Sequence, residues 1–279
     1  MDNVKILCLH PIFSENSIIL ATRLGVQIEK NFEPSVGQIY IVYGGHTKSA
    51  ELLDIQKQHN YNFFYIIMNS EVPQSTYLQN KFYIELLKSN FVFDFSNISA
   101  KYLKDTFDIN IKSFHFFDFI TYTHDEPPPE RDIDILFVGA KSQKREDVYN
   151  SLQKEYPDKN IEFIFDNSLL TPTLLTNKLK QTKYVINISF YDNTILETHR
   201  INKALCCGCQ VVSLPSGDAE TDNFYKDYIH FTDDLVNAFR EDIKSPLKSY
   251  NDLQLYLTNK LFTHNQWMIN KINKKVCTI

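Results

Sequence analysis

The stretch Ile195–Leu214, ILETHRINKALCCGCQVVSL, decides how the rest of this 279-residue chain is read. Its polar-studded first half has helical periodicity, Gly208 supplies a stop, and QVVSL is the apolar run of a short buried strand. A helix that hands over to a buried strand through a glycine is one unit of an alternating α/β chain. Glu197 and Arg200 lie about one turn apart at the front of the helix. A guanidinium beside helix-start amides suits a nucleotide diphosphate, and a carboxylate accepts two hydroxyl hydrogen bonds from a ribose diol. The same spacing also suits an i,i+3 surface ion pair.

The alternation extends to both sides of this stretch. In the first half, strands are expected at Lys5–Leu9, Gln38–Tyr43, Asn62–Met68, Phe91–Asp94 and Ile111–Phe116. Helices are expected at Ser17–Asn31, Ser49–His59, Tyr77–Ser89 and Ser99–Phe107. The segment THDEPPPERD, with Pro127–Pro129 in a row, reads as a stiff extended linker. After it the plan restarts with strand Asp134–Val138, helix Gln143–Glu155, strand Ile161–Phe165, helix Pro172–Gln181 and strand Tyr184–Ile188. The ILETHRI helix and strands Gln210–Leu214 and Tyr228–Phe231 follow, and Asp252–Leu261 and Gln266–Lys275 read as terminal helices. The expected fold is therefore α/β, two small Rossmann-like domains: 1–124, a linker at 125–131, and 132–279, facing a cleft.

Composition narrows the function. A net charge of -5 argues against bulk attraction to nucleic acid or anionic lipid. No apolar run reaches the ~20 residues of a membrane span, and the opening MDNVKILCLHP has no signal pattern. Three of the five cysteines crowd Cys206–Cys209 without a matching His/Cys pair, so small core residues are expected there rather than zinc. The same usage favours a reducing cytoplasm. The low glycine count, 7, with abundant Asn, Lys, Ile, Phe and Tyr suggests an AT-rich genome, bacterial or large-virus, and in the latter case a host cytoplasm. There is no GxGxxG after the first strand, no GxxxxGK[ST] and no G-x-S-x-G, which counts against dehydrogenases, P-loop kinases and α/β-hydrolases.

Ligands of such folds sit beyond the carboxyl ends of strands, so residues there are the candidates. In FVGAKSQKRE, Gly139 ends a strand, and Lys141, Lys144 and Arg145 precede or open a helix; this suits a diphosphate, or equally a turn with a solvated helix face. Asp166 follows the strand IEFIF and faces a nucleobase or caps a turn. His10 follows the first strand, Gly44-Gly45-His46 the second and Glu71 the third. His10 and Glu71 are candidate bases, and the glycine pair allows close approach to a sugar. No metal site is expected.

The segments DIDILFVGAKSQKRE, YVINISFYDNTILETHRINKALCCGCQVVS and YIHFTDDL together resemble a GT-B glycosyltransferase of the broad group-1-like kind, of bacteria and large DNA viruses. NSEVPQ and YIELLKSNFVFDFSNISAKYL are similar to the acceptor domain of such enzymes. The resemblance implies that Gly139, Arg145, Glu197 and Arg200 lie on the donor nucleotide, and that Tyr191, Asn193, Thr194 and Ile195 line the donor sugar and phosphates. It also implies that His10 or Glu71 faces the acceptor. Many retaining members carry two glutamates eight apart, where this chain has Ile195 and Lys203.

The expected function is metal-independent transfer of a sugar from a nucleotide-diphosphate sugar (UDP, GDP or dTDP) to a hydroxyl of a glycan or glycoprotein. A nucleotide-sugar epimerase and a non-catalytic sugar-nucleotide-binding module stand as alternatives on the same fold.

Overall fold

Apolar runs without polar alternation dominate both halves, and such runs form strands covered on both faces of a parallel sheet. In IYIVY, the strand at Ile39–Tyr43, all five residues are buried. The structure is a computed structural model and describes residues 3–30, 32–113, 130–165, 170–192, 194–240 and 243–259. By internal contacts the chain divides into two units, Met1–Asp118 with Leu255–Ile279, and Phe119–Gln254.

The first unit runs β1 (Val4–Cys8), α1 (Ser14–Leu24), β2 (Gln27–Ile28), β3 (Ile39–Tyr43), α2 (Ser49–Gln58), β4 (Phe64–Asn69), α3 (Lys81–Ser89), β5 (Phe91–Asp94), α4 (Asn97–Phe107) and β6 (Ile111–Ser113). Its sheet is parallel throughout, in the order β2-β1-β3-β4-β5-β6. β1 pairs with β3 from Val4 opposite Ile39 to Cys8 opposite Tyr43. One core layer gathers Tyr40, Val42, Tyr65 and Ile67 of the sheet under Leu52, Leu53, Leu86, Leu87 and Leu103 of the helices. A reciprocal amide pair, Gln56 with Asn90 (2.9 and 3.1 Å), also accepts from Tyr65 N–H, so polar groups clip α2 to β4 inside this layer.

The second unit runs β7 (Ile133–Val138), α5 (Gln143–Glu155), β8 (Ile161–Ile164), α6 (Pro172–Lys180), β9 (Thr182–Asn187), α7 (Thr198–Cys206), β10 (Gln210–Ser213), α8 (Ala219–Tyr225) and β11 (His230–Phe231). Its five strands are parallel in the order β11-β10-β9-β7-β8. Ile135, Phe137, Ile186 and Val212 form the strand side of its core, closed by Leu152, Leu235 and Phe239. Residues 250–259 are helical. Among the described residues no helix is long and apolar enough to cross a membrane.

Several elements differ from the sequence reading. The helix expected from Ser17 ends at Leu24, where Gly25 takes a left-handed conformation (φ 65°), and β2 follows. The helix expected from Tyr77 is two pieces, a 3-10 turn at Thr76–Gln79 and α3, because Asn80 caps α3 by accepting from Phe82 N–H. The helix of the opening stretch starts at Thr198, not Ile195; Ile195 and Leu196 are 2% and 1% exposed and serve the core from the loop before it. The triple proline, the end of the strand expected to Phe116 and the terminal helix Gln266–Lys275 lie outside the described residues.

Candidate functional site

In each unit the strand order reverses beside the first strand: β1 has β2 on one side and β3 on the other, and β7 has β8 and β9. Loops leaving the carboxyl ends at such a point diverge to opposite faces of the sheet and leave room for a ligand. His10 of the first unit and Gly139 of the second leave the strands at these two points.

In the second unit the loop after β7 carries Gly139 and Ala140, and the first turn of α5 carries Arg145. Arg145 is 1% exposed. Its guanidinium donates to the Ile188 carbonyl beyond β9 (3.0 Å from Nε, 2.6 Å from Nη2) and to the Ala140 carbonyl (2.7 Å from Nη1). Arg200, from the first turn of α7, donates to the Val138 carbonyl (3.1 Å) and to Asn187 Oδ1 (2.7 Å). Glu197 joins them: one carboxylate oxygen lies 3.3 Å from Arg145 Nη2 and the other pairs with Arg200 Nη1. Both guanidinium groups lie over the Phe137 ring, at 4.9 and 5.1 Å from its centre.

Gly139 makes this convergence possible. A Cβ there would lie 2.9 Å from Arg200 Nη2, 3.0 Å from Phe137 Cζ and 3.3 Å from Arg145 Nη1. Burial lowers the Arg145 pKa to about 10. Burial, helped by the neighbouring Arg145, lowers that of Arg200 to about 9. Both stay charged at neutral pH, so two cations share one carboxylate and the cluster is net positive.

The other donor-side candidates are placed less uniformly. Lys141 and Lys144 do not turn inward; they pair at the surface with Glu146 (2.7 Å) and Asp192 (2.9 Å). Thr194 and Ile195 are buried at 3% and 2%, and Tyr191 is partly buried beside Phe190. Lys203 is buried at 4%, in the α7 position where the resembled enzymes often carry glutamate. Asp166 and Asn193 lie outside the described residues. The cysteines of this segment are core: Cys206, Cys207 and Cys209 are 2%, 2% and 4% exposed. Among the described residues no group of three or more His, Cys, Asp or Glu side chains could hold a metal ion.

In the first unit His10 leaves β1 and caps the 3-10 turn at Pro11–Phe13, its Nδ1 accepting from Ile12 N–H (3.3 Å). Gly44 leaves β3 with φ 75°, and a Cβ on it would stand 2.8 Å from His10 Cβ. That close approach sets His46 beside His10, with ring centres 6.4 Å apart. Glu71, two residues beyond β4, places Oε1 3.2 Å from His46 Nδ1. Glu71 Oε1 also accepts from Ser70 Oγ (3.4 Å), and Oε2 accepts from Ser75 Oγ (2.5 Å). Tyr77 and Tyr83 close over the His46 ring at 4.6 and 6.1 Å. Burial pulls the His46 pKa down, and His10 adds to this, against the opposing pull of Glu71.

Beneath Glu71 lies a polar layer that the sequence reading missed. Asn69 Nδ2 donates to the Glu71 carbonyl (3.1 Å) and to Asp94 Oδ2 (2.6 Å), while its Oδ1 accepts from Tyr83 (2.6 Å) and Glu71 N–H (3.3 Å). Ser99 Oγ reaches the Glu71 carbonyl (3.2 Å) and Asp94 Oδ2 (2.8 Å). The Glu71 backbone is thus held from both its N–H and its carbonyl. The sequence signal for these residues was position alone: Asn69 and Asp94 end β4 and β5 as polar residues after apolar runs.

Each unit is a Rossmann-like α/β domain built on one parallel sheet. The fold is shared with Anabaena Alr3699/HepE. Its crystal structure in complex with UDP and glucose is 11% identical, covers 98% of this chain and 100% of its own, and superposes with a TM-score of 0.56. Its complex with UDP gives 11% identity, the same 98% and 100% coverage and a TM-score of 0.53. At this identity the likeness is one of fold. The sequence matches no protein-family model and no curated protein.

Proposed function

We propose that this chain is a glycosyltransferase that moves a sugar from a nucleotide-diphosphate sugar to a hydroxyl acceptor, a glycan or glycoprotein. The second unit takes the donor and the first the acceptor. The observation that carries this reading is the net positive cluster of Arg145, Arg200 and Glu197 around Gly139, at the point where the second sheet reverses its strand order. Charge builds on the diphosphate as the glycosidic bond breaks, and fixed buried cations stabilise it without reorganising. Arg145 is committed to backbone carbonyls and sets the frame. Arg200, whose side chain is 20% exposed, is the group that meets phosphate. The fold it shares with a protein solved in complex with UDP and glucose supports UDP as the first nucleotide to try. The cysteine usage of the sequence supports the cytoplasm as the place of action.

Titration calorimetry with UDP, GDP and dTDP tests the reading. At least one is expected to bind, and Arg200→Ala to weaken that binding tenfold or more, the ~1.4 kcal/mol or more of one charge-assisted contact. Glu197→Gln removes the one anion of the cluster and is expected to tighten binding severalfold; a loss instead would assign Glu197 to the ribose. No binding by any of the three to folded protein rejects the proposal. One observation favours a binding module without turnover: Ile195 and Lys203, both buried, leave no carboxylate at either position of the paired glutamates. Release of sugar from a bound nucleotide sugar excludes that alternative.

A further inference from the structure

Ser99, in the first turn of α4, is fully buried between two acceptors. Its Oγ lies 2.8 Å from Asp94 Oδ2 and 3.2 Å from the Glu71 carbonyl. A serine hydroxyl carries a single proton, so it serves one of these acceptors at a time. The other donors of the layer are committed. Asn69 directs one amide hydrogen to the Glu71 carbonyl (3.1 Å) and the other to Asp94 Oδ2 (2.6 Å), and its Oδ1 accepts from Tyr83 (2.6 Å). Ser96 N–H donates to Asp94 Oδ1 (2.9 Å). An ionised Asp94 therefore takes the Ser99 proton and leaves the Glu71 carbonyl to Asn69 alone. A protonated Asp94 completes the layer: its O–H donates to Ser99 Oγ, and Ser99 donates onward to the Glu71 carbonyl.

We propose that Asp94 is a proton-operated latch on the loop 70–75: protonated, it turns the Ser99 hydroxyl onto the Glu71 carbonyl, and ionised, it takes that hydroxyl for itself. Opening breaks the carboxyl O–H bond and passes its proton to solvent; closing reverses this. The latch sets the backbone from which the Glu71 carboxylate reaches His46 Nδ1 (3.2 Å) and Ser75 Oγ (2.5 Å). It involves no ligand and stands whether or not the chain transfers a sugar. The titratable groups around Asp94 leave it free to switch. From α3 it faces Tyr83, whose phenol burial keeps neutral. Beyond β4 and β3 lie Glu71 and His46, which pair with each other. On β6 the register partner of Asp94 is Ser113 and that of Phe93 is Lys112, so the lysine stands on the opposite face of the sheet. On α4, Lys101 and Asp105 pair at the surface (2.6 Å). Burial, set against the surrounding donors, puts the Asp94 pKa at about 7, so the latch closes as pH falls through neutrality and opens as pH rises.

The test follows the full chain from about pH 5 to about pH 9, on either side of the Asp94 titration. Infrared spectra of protein labelled with carbon-13 at the aspartate carboxyls read the proton on Asp94, as the protonated-carboxyl band that Asp94→Asn removes. Hydrogen exchange reads the loop at two amides: Glu71 N–H, which donates to Asn69 Oδ1 (3.3 Å), and Ser75 N–H, which donates to the Val72 carbonyl (2.8 Å). After correction for the intrinsic pH dependence of exchange, opening at both amides is expected to rise ~3- to 10-fold as the band disappears, the effect of one neutral hydrogen bond. Ser99→Ala should raise their opening already at low pH and remove the step, while the Asp94 band still titrates. A carboxyl already ionised at about pH 5, a titration that leaves both amides unmoved, or the full step surviving in Ser99→Ala overturns the proposal. If Ser99→Ala does not fold, the two wild-type readings decide it.

Discussion

Asp94 is fully buried, and its carboxylate takes hydrogen bonds from Asn69, Ser99 and Ser96 N–H. These donors favour the anion, yet burial outweighs them and raises its pKa from the ordinary 3.8 to about 7. The folded chain therefore holds a proton that the unfolded chain has lost between those pH values. This contribution to stability is full below pH 3.8 and is lost as pH rises through 7. Melting of wild type and Asp94→Asn from pH 5 to 8 is expected to show it. The wild type should lose ground to the variant by up to about 1.4 kcal/mol per pH unit below 7, and the gap should level off above 7. At this scale the sequence was legible where a residue's position follows from its place after a strand, as for His10, Glu71 and Gly139. It was not legible where the role depends on helical phase or on a partner across the sheet. Lys141, Lys144 and Arg145 are equal cations in sequence, and only the turn of α5 sends Arg145 inward. His46 looks like part of a glycine loop until β3 and β4 lie side by side and bring Glu71 to it.

The end of α7 shows how an element is set by a few atoms. Gly208 takes φ 76°, and the N–H groups of Gly208 and Cys209 turn back to the carbonyls of Leu205 (2.9 Å) and Ala204 (3.1 Å), a left-handed helix stop. Arg131 sits against it, donating to the Cys207 carbonyl (3.0 Å) and to that of Thr182, so a cation meets the negative end of the helix. A Cβ on Gly208 would lie 2.8 Å from Arg131 Nη2. Gly208→Ala is expected to cost about 1–3 kcal/mol in denaturant titration, from left-handed strain and the displaced arginine. Elements with such punctuation were readable: α5 spans Gln143–Glu155 as periodicity predicts. Two escaped. β2 is two residues long, too short for a pattern, and α8 has acidic rather than apolar periodicity and depends on Asp218, which caps it by accepting from Thr221 N–H (3.0 Å).

For the whole molecule, each unit has its own parallel sheet, its own core and its own strand-order reversal. Alternating apolar and amphipathic segments made that plan legible. The spatial order of strands was not, because parallel neighbours are chosen by crossovers rather than by sequence adjacency. A nucleotide bound at the second reversal should stabilise that unit first. Hydrogen exchange with UDP at 100 times its dissociation constant is expected to protect peptides covering 133–145 and 187–200 by up to about 2.7 kcal/mol, with smaller changes in peptides of the first sheet. Equal protection everywhere would argue against the second unit as the nucleotide site. The buried thiols of this unit have a further use. Cys209 donates to the Leu179 carbonyl (3.1 Å), and burial pushes its pKa up to about 12, so it is chemically silent while α7 and β10 stay packed. It carries no information about the reaction, but it records the structure's history: every alkylated Cys209 marks one occasion on which the corner opened, a clock for breathing that needs no added label.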